Sequence, residues 1–344
     1  MAYTTINKGS SYFNSVLYTG NGVGGTNITG VGFQPDLVWI KRRSATEFHV
    51  WNDAVRGVPK NIYSNSTNAE DSGSLMSAII SDGFTVQTDG SVNFNGSTYV
   101  AWNWLANNTS GSTNTSGSIT STVAANTTAG FSIVKYTGTG ANATVGHGLG
   151  VAPSMIIVKR RDSTANWFVY HASIGNNGYV MLNLTDAKDQ PNSTVWNNTS
   201  PTSSLFSLGT SSGPNASGGT YIAYCFAEVK GFSKFGSYTG NGSTDGTFVY
   251  TGFKPAFVLL KSSSAAYNWH MFDSKRNTYN VVTADLLPNA SNAEDNGNNV
   301  IDFLSNGFKL RIASAGWNDA NTYIYMAFAE NPFVSSTLIP TTAR

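Results

Sequence analysis

Apolar residues along this chain either alternate with polar ones or run in short blocks, and long stretches at the helical period are missing. Leu37-Val38-Trp39-Ile40 is a near-continuous apolar block, the pattern of a strand whose sheet is covered on both faces. Pro35 stands just before it, where a missing N–H is tolerated. Phe48-His49-Val50-Trp51 alternates and predicts the returning strand of a hairpin. Residues 61–73 read as a polar loop and 75–80 as a short apolar run. Asp82-Gly83-Phe84 starts another strand, and Asn95-Gly96 is a turn signal before the closing strand Tyr99-Val100-Ala101-Trp102.

The same signposts return twice. Tyr-Thr-Gly occurs at Tyr18, Tyr136 and Tyr238. A Gly-x-x-Pro step, an apolar strand and a lysine recur as Gly32 to Lys41, Gly150 to Lys159 and Gly252 to Lys261. The closing strand recurs at Thr98, Thr220 and Thr322. From unit one to unit two, the tyrosine, glycine and lysine markers are each 118 residues apart. From unit two to unit three, these markers and the closing strand are each 102 apart. Several markers in one register define three copies of one module, each large enough to hold its own small core. A fragment of residues 237–344 is therefore expected to fold alone.

This organisation predicts an all-β chain of three tandem jelly-roll-like antiparallel β-sandwich modules. An N-terminal arm covers 1–15. The repeats span 16–106, 130–229 and 237–333. A linker of Ser, Thr, Asn and Gly occupies 107–129, a short joint 230–236 and a C-terminal tail 334–344. Propeller blades, with a period of about 40 to 50 residues, fit the spacing less well.

Composition narrows the function classes. Charged residues make up 11% of the chain and the net charge is +1, so there is no basic field to attract nucleic acid or anionic lipid. The single cysteine, Cys225, lies in a strand pattern and reads as a buried apolar residue. No apolar run approaches the ~20 residues of a membrane helix, and residues 1–15 lack the apolar core of a signal peptide. The expectation is synthesis in a cytoplasm, with no membrane insertion.

Candidate chemistry is sparse. The loop Asn65 to Asp71 recurs as Asn289 to Asp295 and offers oxygen ligands suited to calcium. Unit two has Lys188 where the other copies have Glu70 and Glu294. A shared structural loop is the simpler reading, and no metal or cofactor is expected. His49 and His270 read as equivalent strand positions, with Phe168 between them in unit two, which favours packing over catalysis. No Ser-His-Asp order or G-x-S-x-G elbow supports a hydrolase, so no catalytic residue is assigned. Lys41, Lys159 and Lys261 read as strand-end charges facing solvent or a carboxylate, with a salt bridge between subunits as the alternative. Trp39, Trp51, Trp102, Trp104, Trp167 and Trp269 fall in strands and read mostly as core. Trp196 and Trp317 lie in polar loops, Trp196-Asn197 and Trp317-Asn318-Asp319. An aromatic face beside amides and a carboxylate suits sugar stacking, and equally suits a packing or subunit contact.

The repeat signature, Tyr18-Thr19-Gly20-Asn21-Gly22, Gly30-Val31-Gly32-Phe33-Gln34-Pro35-Asp36-Leu37-Val38-Trp39-Ile40-Lys41, Asp82-Gly83-Phe84 and Thr98 to Trp104, resembles a repeated domain of virion proteins of tailed phages. The resemblance covers most of residues 9–333. It is loosest in unit two, which has Val151 for the phenylalanine and lacks the Asp-Gly-Phe step. It implies a structural, non-enzymatic component of the virion surface, tail-fibre- or spike-like. The partners it implies are other virion proteins, further copies of the chain (a trimer foremost) and a host-surface glycan. A capsid- or tail-decorating protein without a receptor role is the alternative, and a glycan depolymerase a third.

Overall fold

A computed structural model describes residues 4–335, 337 and 340; most of the expected C-terminal tail lies outside the described residues. The chain is all-β, with helices of a single turn only among the described residues. Each repeat folds as two facing sheets. In unit one, the larger sheet runs Phe13–Thr19, Thr98–Trp104, Leu37–Arg42, His49–Asp53, Ile62–Tyr63, all antiparallel. The smaller is Thr26–Thr29, Gly83–Val86, Met76–Ile80. Units two and three repeat this order. Their larger sheets centre on Thr220–Phe226 and Thr322–Pro332; their smaller ones are built on Ala143–Gly146 with Leu205–Leu208, and Phe248–Tyr250 with Gly307–Leu310.

The Tyr-Thr-Gly signature has a physical cause. Tyr18, Tyr136 and Tyr238 stack on the cross-strand partners Tyr99, Tyr221 and Tyr323 at 4.9, 5.1 and 4.9 Å. Their hydroxyls donate to the carbonyls of Val92, Pro214 and Trp317. The glycine that follows passes so close to the same turn that a Cβ would lie 2.4, 2.5 and 2.0 Å from a backbone oxygen at Gly20, Gly138 and Gly240.

The segment 107–129, expected as a linker, carries two strands. Ser121–Asn126 pairs with Phe131–Thr137, and Ser112–Asn114 pairs with Ser121–Asn126, extending unit two's larger sheet to seven strands. Its polar residues gain their backbone partners from a neighbouring edge rather than from a core of their own.

The larger sheets are buried on both faces, as their unbroken apolar blocks require. Val38, Ile40 and Val50 face the smaller sheet and form unit one's sandwich core. Side chains of the opposite face do not point to solvent. Trp39, Trp51, Trp102 and Trp104 join Trp167, Tyr224, Phe226, Phe257, Trp269, Met326 and Phe328 in one continuous core drawn from all three repeats. At its centre, Trp104, Phe226 and Phe328, the equivalent residue of each closing strand, form a triangle with ring separations of 6.3, 6.1 and 5.8 Å. The units are thus arranged about a pseudo-threefold axis, each with its larger sheet facing inward.

Candidate functional site

The three junctions between units share one frame. Each lysine of the Gly-x-x-Pro-strand-Lys signature is wholly buried and reaches the loop of a neighbouring unit. Lys41 Nζ donates to Ser291 O (3.0 Å), Lys159 to Thr67 O (2.9 Å) and Lys261 to Thr185 O (3.1 Å). Unit one therefore grips unit three, unit two grips unit one, and unit three grips unit two, which closes the ring. This corrects the expectation of a solvent-facing charge or a carboxylate pair. Burial pushes all three ammoniums down to about 8. They stay charged at neutral pH, held by carbonyls.

The strand opposite each lysine carries the second contact. Trp167 donates from Nε1 to Tyr63 O and Trp269 to Met181 O, both at 2.9 Å. His49 pairs with Lys41 as Trp167 does with Lys159 and Trp269 with Lys261. The register thus corrects the histidine equivalence: His49 matches Trp167 and Trp269, while His270, opposite Leu260, matches Val50 and Phe168. His49 accepts from Trp39 Nε1 at Nδ1 (3.0 Å) and turns Nε2 toward the Leu287 carbonyl of unit three, short of bonding geometry.

Two junctions add a buried charge chain. Between units two and one, Arg161 clasps Glu70 through two bonds of 2.8 Å. Arg56 bridges Glu70 and Asp53, and Asp53 accepts the Tyr224 hydroxyl (2.7 Å). Between units one and three the series is Arg43, Glu294, Arg276, Asp273 and Trp102 Nε1. Burial alone would raise Glu70 and Glu294, but the arginines beside them outweigh it and hold both below the ordinary carboxylate range. The loops considered for calcium thus commit their glutamates to arginines. The third junction has Ser263, Lys188, Ile174 and His171 in these places. His171 Nε2 donates to Tyr325 O (3.1 Å), and burial lowers its pKa to about 4.

The junction between units one and three also opens a cleft of about 490 Å³. Thr46, Glu47, Phe48 and Asn65 line one side, and Asn289 to Asn292 the other. Its floor is fixed: Ser291 O accepts from both Glu47 N (2.9 Å) and Lys41 Nζ.

The loop tryptophans lie elsewhere. Trp196 is buried in unit two's sandwich core, edge-on to Tyr170. Asn197 is the left-handed residue ending that helical turn. Trp317 is half-buried against His270 at 4.4 Å. Asn318 is wholly buried: its amide donates to Asn241 Oδ1, Ser243 O and Ile312 O, and its oxygen accepts from Asn241 N. Asn93 and Asn215 make the equivalent clamps in units one and two. Asp319 Oδ1 caps Ala320 N. These five residues are not gathered on one surface. His270 Nδ1 bonds Asp285 (2.7 Å), but among the described residues no hydroxyl or thiol is bonded to its other nitrogen.

The family model for a domain of unknown function, DUF7483, matches residues 8–332. A search of curated proteins found no match to the chain.

Proposed function

We propose that the chain, which belongs to the DUF7483 family, is a structural component of a tailed-phage virion, tail-fibre- or spike-like and displayed at the surface. The observation behind this reading, beside the motif resemblance, is the closed ring of three repeats around an aromatic axis. Such a ring gives one chain the shape of a trimer, suited to a position on or beside a threefold or sixfold virion axis. It does so without disulfides, its one cysteine being buried and free. The ring places three modules about one axis within a single chain, and in this reading its partners are other virion proteins and further copies of the chain.

The burial of Trp196 favours keeping a second reading, a capsid- or tail-decorating role with no receptor. The cleft at the junction of units one and three offers one carboxylate, Glu47, not the facing pair a depolymerase needs. Mass spectrometry and immunogold labelling of purified virions test both readings. Label at the tail tip, with purified protein decorating host cells, is the expected result. Label on the capsid selects the second reading, and absence of the chain from particles overturns the virion assignment.

A further inference from the structure

The three junctions also differ at the residue before each strand's first contact, Phe48, Asn166 and Asn268. Asn166 Oδ1 accepts from Asn183 Nδ2, and Asn268 Oδ1 accepts from Asn289 Nδ2 (2.8 and 2.7 Å), an amide pair that ties strand to loop in units two and three. Phe48 stands in this place in unit one. Asn65, the counterpart of Asn183 and Asn289, still accepts through Oδ1 from the first residue of the strand His49–Asp53, at His49 N (2.9 Å). Its Nδ2 has no acceptor among the described residues. Phe48 is 40% exposed, and its ring is backed by Tyr63 at 5.0 Å. An exposed aromatic face and an unpaired amide donor therefore border the cleft, with Ser291 and Asn292 opposite and Glu47, whose carboxylate lies beside Arg42 and Ser91, at its edge.

We propose that this cleft is a carbohydrate-binding site for a neutral hexopyranoside, with the sugar's apolar face on Phe48 and its hydroxyls on Asn65, Glu47 and Asn292. An aromatic ring covers the C–H face of a pyranose, while amides and a carboxylate take its hydroxyls. Charge argues for a neutral ligand, because Arg42 lies 3.8 Å from Glu47 and balances it. The volume admits one or two sugar rings. Ser291 and the loop around it are anchored through Lys41, so the site is held in shape before any ligand arrives. The proposal rests on the junction geometry and not on the virion assignment.

The test is saturation-transfer-difference NMR on the full chain, with the methyl glycosides of glucose, galactose, mannose and N-acetylglucosamine at millimolar concentration and a hexapeptide mixture as comparison. At least one glycoside should receive saturation. Binding should weaken about tenfold or more in Phe48→Asn, which supplies the amide found at the other two junctions, equivalent to ~1.4 kcal/mol. Phe48→Asn should keep the parent melting curve, and Trp317→Ala should leave binding unchanged. Saturation of none of the glycosides, peptide binding alone, or glycoside binding undiminished in a folded Phe48→Asn protein would each overturn the proposal.

Discussion

Single side chains in this protein take their meaning from threefold repetition. Asn318 looks like a ligand residue in the sequence because it follows a tryptophan in a polar loop. Its equivalents Asn93 and Asn215 reveal a turn clamp. Removing it strands several buried groups, so Asn318→Ala should lower stability by about 2–4 kcal/mol in urea denaturation. A side chain kept for ligand binding would change it little. The buried lysines were not legible, because lysine is rarely fully buried and nothing in the sequence identifies the carbonyls that receive it. Titration follows from these placements. His171 has a folded pKa of about 4, below its ordinary 6.5, so between those values the unfolded chain binds a proton that the folded chain refuses. Stability due to His171 is therefore present above pH 6.5 and falls by up to about 3 kcal/mol as pH drops toward 4. Glu70 and Glu294 add a loss at still lower pH, and Asp36, raised to about 6 by burial, works in the opposite sense. Urea midpoints measured from pH 7 to 4.5 should show a shallower decline in His171→Gln than in the parent.

Strands and loops show where sequence reading succeeds and where it stops. Apolar blocks such as Leu37 to Ile40 announced sheets covered on both faces, and the structure bears this out. What covered the second face was not legible, since a core shared by three repeats leaves the same pattern as one closed by a helix. The strands Ser112–Asn114 and Ser121–Asn126 are not legible because Val123 and Ala124 are their only buried apolar residues among Ser, Thr and Asn, too few to set a period; pairing to Phe131–Thr137, and of one to the other, makes them strands. Sequence similarity aligns His49 with His270, one residue away from the pairing in the sheet, and in a strand one residue exchanges the two faces. At the junctions, Glu294→Ala leaves Arg276 buried with Asp273 as its one carboxylate, and should cost roughly 3 kcal/mol. Lys188→Ala, at the exposed equivalent position, should stay within about 0.5 kcal/mol of the parent. Equal losses in the two variants would contradict the asymmetry of the junctions.

At the scale of the molecule, the repeats are joined by their cores as well as by their chain. A separate unit three would expose Phe257, Trp269, Met326 and Phe328, all of which the ring buries. The fragment 237–344, expected from the repeat spacing to fold alone, is on this account unstable in isolation. Differential scanning calorimetry of the full chain should give one transition with equal calorimetric and van't Hoff enthalpies, and resolved steps would argue for independent modules. The threefold closure itself is tested most directly by small-angle X-ray scattering of the intact chain. A ring predicts a compact particle with a radius of gyration of about 20 Å. A value of ~25 Å or more, with the extended distance distribution of three beads in a row, would contradict it.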